Sequence, residues 1–287
     1  MKMDKVSGHH TALPLVSVII PSGDSHSTIK AAIDSVLAQS YTPIEIIVVL
    51  NGEVGVTLSI ISGYKGVNTF RLPEANAYEA RAYGASMAKG QYLLYLDADD
   101  CLHKDAVMRA VTTALANSAD IVQLRLVQFA RKAGINFHWH FPCRYDTTEA
   151  FRGIVADHTI FNPGIPAKLY RRSLIATFPD IKYKGFWGED RLFNMLVFSG
   201  RPKVMYSPES IYYYRFGGMS RDLTRKGLTD EISRVKELQT EYLRANNLQS
   251  YIPDVERGHR FLLEAIERYK SPDILLRLKL LIARLLS

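Results

Sequence analysis

The chain has 287 residues, a mass of 32.4 kDa and a net charge of +7, with 47% hydrophobic and 23% charged residues. These values suit one large α/β domain with an appendage, and they exclude a disordered chain, a fibrous repeat and a disulfide-framed miniprotein. No apolar run reaches the ~18–20 residues that cross a bilayer, and two cysteines, Cys101 and Cys143, fit a reducing cytosol. We therefore expect a cytoplasmic protein whose positive charge, carried beyond the first hundred residues, attracts a phosphate-bearing ligand.

The first half of the chain alternates strands and helices. Apolar β-branched runs predict strands buried on both faces, and apolar residues at i, i+3, i+4 and i+7 predict amphipathic helices. A strand, a helix and a strand within about 35 residues form a βαβ unit, so we expect a mostly parallel sheet. In chain order the predicted elements are strand 15–20, a helix from 29, strands 44–50 and 67–72, helix 78–89, strand 91–96, helix 104–115 and strand 121–129.

The pattern changes beyond about residue 130, where aromatic residues crowd in and strands and helices stop alternating. Short strands are predicted at 204–206 and 211–216, and a helix starts near Leu192. Later helices are predicted over 229–245, 254–269 and 274–286. We expect a nucleotide-handling first half, a second half that completes the cleft, and a helical tail.

Three carboxylates follow the predicted strand 91–96, in the sequence Asp97-Ala98-Asp99-Asp100. Ligands of open parallel sheets bind at the carboxyl ends of the strands. Crowded carboxylates repel one another unless a cation lies among them, and oxygen-only ligands favour Mg²⁺ or Mn²⁺. The alternative is that Asp99 or Asp100 caps the helix that starts near Lys104.

Two further clusters carry polar residues. Glu189 and Asp190 stand at the start of a predicted helix, and the flat ring of Trp187 beside them suits a sugar face. The alternative is that the two acidic residues only stabilise the helix, since an acidic first turn contributes about 0.3–1 kcal/mol. Arg215, Ser220 and Arg221 surround Gly217-Gly218 and could clamp a diphosphate, or form an ordinary surface loop.

Several other functions lack their motifs. The chain has no G-x-G-x-x-G after its first strand, no phosphate-binding G-x-x-x-x-G-K-[ST] and no G-x-S-x-G. His138 and His140 lack cysteine or acidic partners at zinc-ligand spacing, and no nucleic-acid-binding module is visible, so nucleic acid is not an expected partner.

Taken in order, these motifs resemble glycosyltransferase family 2, the inverting enzymes of the GT-A fold, over roughly residues 15–220. The resemblance covers the opening strand, the helix end, the second strand, the segment before the metal loop, the D-x-D-D motif and two later features. These are Val16 to Pro21, Ile33 to Tyr41, Ile44 to Val49, Asn76 to Gly90 with Ala80-Arg81, Asp97 to Asp100, Lys168 to Arg172 and Glu189-Asp190.

The resemblance implies a metal-dependent enzyme that moves a hexose from a nucleotide-diphospho-sugar, a UDP-sugar, to a hydroxyl of a glycan or lipid-linked saccharide in surface polysaccharide synthesis. It implies that Asp97 contacts the nucleotide, Asp99 binds Mn²⁺ or Mg²⁺, Arg81 lies near the nucleotide base and Asp190 is the catalytic base, with Glu189 beside it. It divides the chain into a catalytic domain over 13–220, with halves 13–130 and 131–220, and a helical C-terminal extension over 221–287.

The expected nucleotide-sugar-binding set also holds Pro21, Ser22, Asp24, Asn51 and Ala98, and two of these positions depart from the family pattern. The family has P-x-Y-N where this chain has Pro21-Ser22-Gly23-Asp24, and an aspartate that reads uracil where this chain has Asn51. An asparagine offers a donor and an acceptor whereas aspartate only accepts, so base preference is open. An alternative function is therefore a degenerate glycosyltransferase-like binding protein with little turnover.

The basic and apolar tail over 274–286 suits an interfacial membrane helix of a peripheral enzyme with a lipid-linked acceptor. The alternatives are a helix packed on its own domain and a helix in a homodimer interface.

Overall fold

A computed structural model describes residues 12–52, 55–73, 76–129, 136–138, 147–156, 164–175, 178–181, 183, 185, 187–215 and 226–270. The described chain forms one mixed β-sheet with helices on both faces. No helix within these ranges is long and apolar enough to cross a membrane. The predicted α/β architecture is confirmed.

One half of the sheet is parallel, as the alternating sequence pattern predicts. Its strands lie in the order β3-β2-β1-β4, with β1 central and every one of its residues buried. The strands are β1 (Val16–Ser22), β2 (Ile44–Asn51), β3 (Val67–Leu72) and β4 (Tyr92–Tyr95). The helices that flank this half are α1 (Ile29–Leu37), α2 (Gly55–Ile61), α3 (Ala77–Met87) and α4 (Ala106–Asn117). Helix α2 is absent from the sequence prediction.

Helix α3 is fixed at its first turn by a capping box. The Asn76 side chain accepts from the backbone N–H of Glu79 at 2.8 Å, and the Glu79 carboxylate accepts from the Asn76 N–H at 3.0 Å. Further along, α3 approaches β1 closely at Gly84, where a Cβ atom would lie 2.5 Å from the Ile19 side chain. The capping box and the close contact of Gly84 with β1 together fix the point from which the buried Arg81 side chain projects.

The other half of the sheet is built largely from antiparallel pairs, in the order β4-β8-β6-β9-β5 with β7 beside β6. Its strands are β5 (Cys101–Leu102), β6 (Ile121–Phe129), β7 (Asn136–His138), β8 (Lys168–Arg171) and β9 (Val204–Arg215). Of these the sequence predicts β6 and the two ends of β9. The register between β6 and β9 shifts after Leu124 and Ser207, and this irregularity separates the two short strands that the sequence predicts within one long strand.

Four helices lie between or after the strands of the sheet's second half and pack on one another. They are α5 (Thr147–Ala156), α6 (Glu189–Ser199), α7 (Leu228–Ala245) and α8 (Ile252–Lys270). Helix α7 contacts α6 at both ends: Val235 lies against Gly188, and the Tyr242 and Ser199 hydroxyls are 2.6 Å apart. The predicted helix over 274–286 lies outside the described residues.

Substituting Gly258 tests the packing of α8 on α5. A Cβ atom at Gly258 would overlap the backbone carbonyl of Ala156, which cannot rotate away as a side chain could. We expect Gly258→Ala to lower the free energy of unfolding by about 1–3 kcal/mol, although alanine is intrinsically the better helix residue. Urea unfolding measures this effect.

Gly55→Ala serves as the control, because Gly55 is the first residue of helix α2 and no atom lies within 4 Å of the added Cβ. We expect this variant to be neutral or slightly more stable. Equal stability of Gly258→Ala and wild type would contradict the close packing of α8 on α5.

Candidate active site

The predicted site residues gather at the carboxyl edge of the parallel strands. Pro21 and Ser22 end β1, Asn51 ends β2, and Asp97 follows β4 after one intervening residue. Asp190, in the first turn of α6, lies at the same edge, as its shared contact with Arg81 and Asp97 shows. Residues far apart in the sequence therefore meet at one edge of the sheet.

Arg81 joins the two carboxylates that the sequence analysis assigns to different tasks. Its Nη2 donates to Asp97 Oδ1 at 2.8 Å and its Nη1 donates to Asp190 Oδ1 at 3.2 Å. The Arg81 side chain is only 6% exposed, whereas those of Asp97 and Asp190 are 27% and 28% exposed. Burial acts to lower the pKa of Arg81, but the charges of Asp190 and Asp97 raise it overall, so the guanidinium stays charged.

The three carboxylates of the Asp97 to Asp100 loop have different surroundings. Asp100 is buried and accepts from the Tyr212 hydroxyl at 2.7 Å and from the Arg215 N–H at 2.7 Å. Asp97 is bound by Arg81. Within the described part of the chain, the Asp99 carboxylate makes no ion pair or hydrogen bond with another side chain. Asp99 is therefore the carboxylate of the three that stays available to a ligand, and Asp100 fastens the loop to β9.

Asp100 does not cap the following helix, which was the alternative reading of this loop. Helix α4 begins at Ala106, and its N-terminal flanking residue is Asp105. Burial raises the pKa of Asp100, with a further contribution from the charge of Asp97, while the Arg215 N–H and the Tyr212 hydroxyl oppose that rise. Its hydrogen bonds thus hold a carboxylate in a place where water does not reach it.

Tyr212 is a site residue that sequence reasoning missed. Its ring is fully buried, and its hydroxyl both donates to Asp100 and accepts from the backbone N–H of Asp97 at 3.1 Å. One hydroxyl therefore fixes the loop at two points. The run of tyrosines in β9 was visible in the sequence, but which of them points at the loop depends on pairing between distant strands.

The Glu189 and Asp190 carboxylates lie in the first turn of α6, whose preceding residue Gly188 has a φ of +92°. Burial raises the pKa of Asp190, and the charge of Asp97 adds to this effect. Arg81, the backbone N–H of Ile165 and Lys168 act in the opposite direction. The pKa of Glu189 is also raised, first by burial and then by Asp190, so the pair favours one proton between its two carboxyl groups.

The residues expected around the nucleoside lie beside one another. Gly23 follows β1 next to Asn51, whose Oδ1 is buried and has no hydrogen-bond partner among the described residues. Asp24 is exposed, and its Oδ1 lies 2.7 Å from His26 Nδ1. Ala98 is buried within the carboxylate loop. The Asn51 oxygen is thus the buried polar atom of this corner that a ligand could satisfy.

The residues expected on the acceptor or diphosphate side fall into two groups. Arg215 lies at the carboxylate loop, where its Nε donates to the backbone oxygen of Asp99 at 2.7 Å. Trp187 is partly buried in hydrophobic packing, and the Arg191 guanidinium lies 5.0 Å from its ring centre, which covers one ring face. Ser220 and Arg221 lie outside the described residues, as does His140.

The carboxylate loop could hold a divalent cation if a bound ligand completed the coordination of the ion. No group of three or more His, Cys, Asp or Glu side chains in the described ranges could hold a metal ion by itself. Mg²⁺, however, commonly takes one or two carboxylates, keeps some water and completes its shell with substrate phosphate. Burial and the neighbouring Asp97 charge raise the pKa of Asp99, so a bound cation would relieve an existing cost.

Comparison with known proteins identifies related sequences and folds. The profile of Glycosyl transferase family 2 matches residues 17–178. The chain is 25% identical over 238 residues to glycosyltransferase GlyA of Streptococcus pneumoniae serotype 4, covering 77% of this chain and 34% of GlyA. It is 28% identical over 209 residues to the poly(ribitol-phosphate) beta-N-acetylglucosaminyltransferase TarP of Staphylococcus aureus strain N315, covering 69% of this chain and 62% of TarP.

Solved structures of S. aureus TarS share the fold. The crystal structure of TarS 1–349 gives a TM-score of 0.64 at 18% identity over 85% of this chain and 71% of that one. TarS 1–349 in complex with UDP-GlcNAc gives 0.63 at 17% identity over 85% of this chain and 72% of that one. The expected GT-A fold is confirmed, while the chain spans only about a third of GlyA and less than two thirds of TarP.

Removing the Tyr212 hydroxyl tests how the carboxylate loop is held. Tyr212→Phe leaves buried Asp100 without one donor and the Asp97 N–H without its acceptor, so we expect the free energy of unfolding to fall by about 1–3 kcal/mol. Tyr83→Phe, which removes the hydroxyl of a partly buried tyrosine of α3, should change it by less than about 0.5 kcal/mol. Urea unfolding compares the variants, and equal effects would contradict a specific role for the Tyr212 hydroxyl.

Proposed function

The chain belongs to glycosyl transferase family 2, and from this premise we propose that it is a metal-dependent inverting glycosyltransferase that moves a hexose from a UDP-sugar to an acceptor hydroxyl. The proposal places the donor diphosphate at Asp97 and Asp99 and assigns the catalytic base to Asp190. Its reaction is a single displacement at the anomeric carbon.

One contact carries this proposal: the Arg81 guanidinium that binds Asp97 and Asp190 together. A single displacement needs a leaving group and an attacking hydroxyl on opposite sides of one carbon atom. The protein must therefore bring a diphosphate-binding group and a proton acceptor into one cleft. Arg81 spans the two carboxylates that would serve these functions, since each is bound by a different nitrogen of the same side chain.

On the donor side, each residue has a separate task. The nucleoside lies among Pro21, Ser22, Asp24 and Asn51. The buried Asn51 Oδ1 accepts a hydrogen bond from the nucleotide base. Asp99, with Asp97, would hold Mn²⁺ or Mg²⁺, and a cation bound there would supply positive charge against the departing diphosphate.

The Arg215 side chain adds a cation on the same side of the cleft. Its Nε is bonded to the Asp99 backbone oxygen, so the guanidinium is fixed beside the loop where phosphate oxygens would lie. The proposed diphosphate clamp would be completed by Ser220 and Arg221.

On the acceptor side, Asp190 takes the proton from the attacking hydroxyl. A hydroxyl is a weak nucleophile, and a carboxylate placed within hydrogen-bond reach contributes about 10²–10⁴-fold in rate. Burial raises the pKa of Asp190 toward the working range of a base, whereas Arg81 and the Ile165 N–H preserve its ionised form. Glu189, one residue earlier, is placed to share the proton, and Trp187 borders the acceptor side.

The donor and acceptor classes draw support from the relatives. TarS was solved with UDP-GlcNAc, and TarP is named as an N-acetylglucosaminyltransferase, which supports a UDP-hexose donor. The poly(ribitol-phosphate) acceptor in the name of TarP supports a cell-surface glycopolymer or its lipid-linked precursor as the acceptor class. Because the chain spans part of these proteins, its substrates are proposed by class only.

We retain the division into a catalytic domain over 13–220, with halves 13–130 and 131–220, and an extension over 221–287. The contacts of α7 with the Gly188 turn and with Ser199 support a role for this extension in holding α6. Membrane contact through 274–286, a peripheral cytoplasmic location and a homodimer stay predictions.

Asp190→Asn tests the base. We expect it to reduce Mn²⁺-dependent UDP release from UDP-GlcNAc or UDP-glucose by about 10²–10⁴-fold, because an amide cannot accept the proton. UDP should still raise the melting temperature of the variant in the presence of Mn²⁺, since donor binding does not use this carboxylate. Asp99→Asn should instead lose the Mn²⁺-dependent part of that thermal shift.

Asp105→Asn is the matched control, because the Asp105 side chain is 26% exposed, close to the 28% of Asp190, and lies outside the cleft. Its turnover should equal that of wild type. Wild-type turnover in Asp190→Asn would contradict the proposed base. UDP binding without any turnover in the wild-type protein, with a full panel of UDP-sugars and acceptors, would favour the degenerate binding protein instead.

A further inference from the structure

Lys168 is a fully buried lysine that the proposed mechanism does not use. It begins β8, beside the parallel half of the sheet, and its residue is 0% exposed. A buried ammonium costs free energy, and an apolar residue of similar size at such a position is often neutral or stabilising. A lysine here therefore calls for a reason other than packing.

The Lys168 ammonium grips a turn that precedes its own strand. Its Nζ donates to the backbone oxygen of Gly164. The Asn194 side chain, one turn along α6 from Asp190, donates to the same oxygen at 3.0 Å. The Gly164 carbonyl is thus fixed by one side chain from β8 and one from α6.

The other end of the same peptide group lies toward the proposed base. The Ile165 N–H, which shares a peptide unit with the Gly164 carbonyl, is placed so that it lowers the pKa of Asp190. Because a peptide unit is planar, fixing its oxygen also fixes the direction of its N–H on the opposite side. The Ile165 carbonyl is held in turn by the Tyr170 hydroxyl at 3.1 Å, and that hydroxyl also lies 3.0 Å from Asn194 Oδ1.

The chain between the turn and the strand holds an uncommon conformation. Ala167 has a φ of +62°, and its carbonyl accepts from the Leu124 N–H at 2.9 Å and from the Gln123 side chain at 2.9 Å. A left-handed alanine is costly and persists where surrounding contacts determine it. Such residues gather at sites whose geometry matters, and here the strained residue joins Lys168 to the turn that contacts Asp190.

Charge points the same way as geometry. Burial lowers the pKa of Lys168 to about 7, while the negative charge of Asp190 opposes this change. Lys168 thus interacts electrostatically with Asp190, whereas Arg81 binds it directly.

We propose that Lys168 is a positioning residue for Asp190: by holding the Gly164 carbonyl it aims the Ile165 N–H at the carboxylate and keeps the base in line with the incoming hydroxyl. This inference rests on the proposed function, because it presupposes that Asp190 is the base. Lys168 touches neither donor nor acceptor and acts through Asp190.

Lys168→Met tests the inference, because methionine keeps the length of the side chain and removes its donor and charge. We expect kcat for UDP release from UDP-GlcNAc with Mn²⁺ to fall about 100-fold, the scale of a misplaced catalytic group. The donor KM should stay within about twofold of wild type, because Lys168 does not contact the donor. The melting temperature should change little, because the apolar side chain removes the desolvation cost of a buried ammonium and the Gly164 carbonyl keeps its hydrogen bond from Asn194.

Leu169→Ala is the matched control, because Leu169 is the next residue of β8, is equally buried and packs on the opposite face of the sheet. It should lower the melting temperature and leave kcat per folded molecule unchanged. Tyr170→Phe, which retains the ring and removes the hydroxyl from the Ile165 carbonyl, should lower kcat about tenfold at constant KM and provides a test if Lys168→Met does not fold.

A wild-type kcat in folded Lys168→Met, or in Tyr170→Phe if the first variant does not fold, would overturn the inference. Asp190→Asn measured in parallel separates the two proposals. If Asp190→Asn retains turnover, the proposed base is wrong and the positioning role falls with it. If Asp190→Asn is inactive while Lys168→Met behaves as Leu169→Ala does, only the positioning role is wrong.

Discussion

The cleft depends on a single buried cation placed between two carboxylates. The Arg81 side chain projects from α3 and binds Asp97 and Asp190. These two carboxylates come from separate elements and meet only in the folded chain. A guanidinium buried to this degree is tolerable only when it is paired, and loss of a partner from a buried pair costs about 3–5 kcal/mol. The same contact that makes Arg81 tolerable thus sets the separation of the two proposed reaction sites.

The residues that hold these two carboxylates in place come from distant parts of the chain. The Asp97 loop is fastened by Tyr212 of β9, and Asp190 is held by the turn before β8 and by the packing of α7 on the Gly188 turn. These are contacts between the parallel half of the sheet, its antiparallel half and the last helices. The C-terminal helices, which the sequence analysis expected to form a tail, therefore lie next to the turn that carries the proposed base.

The sequence predicted the first half of the fold well, because each of its elements carries its own pattern. Strand β1 is mostly apolar since both of its faces are buried, and the apolar stripe of α1 from Ile29 to Val36 faces the core. Strand β8 had no such pattern, because its buried first residue is a lysine whose partners are a carbonyl and a distant carboxylate. The long β9 was divided in two because its register shift places polar residues in mid-strand.

For the site, the sequence located the two acidic groups, and the resemblance assigned their tasks, but the contacts of each carboxylate could not be read from it. Asp99 and Asp100 are neighbours of the same residue type, and only the fold shows that Asp100 is bound by the Tyr212 hydroxyl and the Arg215 N–H. The place of Arg81 near the nucleotide base stays a prediction, and the structure adds that its guanidinium lies between the two carboxylates. Its pairing depends on the first turn of α6, more than a hundred residues away.

Anomalous diffraction from crystals grown with UDP and Mn²⁺ tests the account most directly, because it locates the ion independently of any assay. We expect one manganese peak within about 2.2 Å of an Asp99 carboxylate oxygen. It should lie next to the diphosphate of UDP, on the side of Arg81 opposite Asp190. A manganese peak away from Asp97 and Asp99, or UDP bound outside the cleft that Arg81 spans, would contradict it.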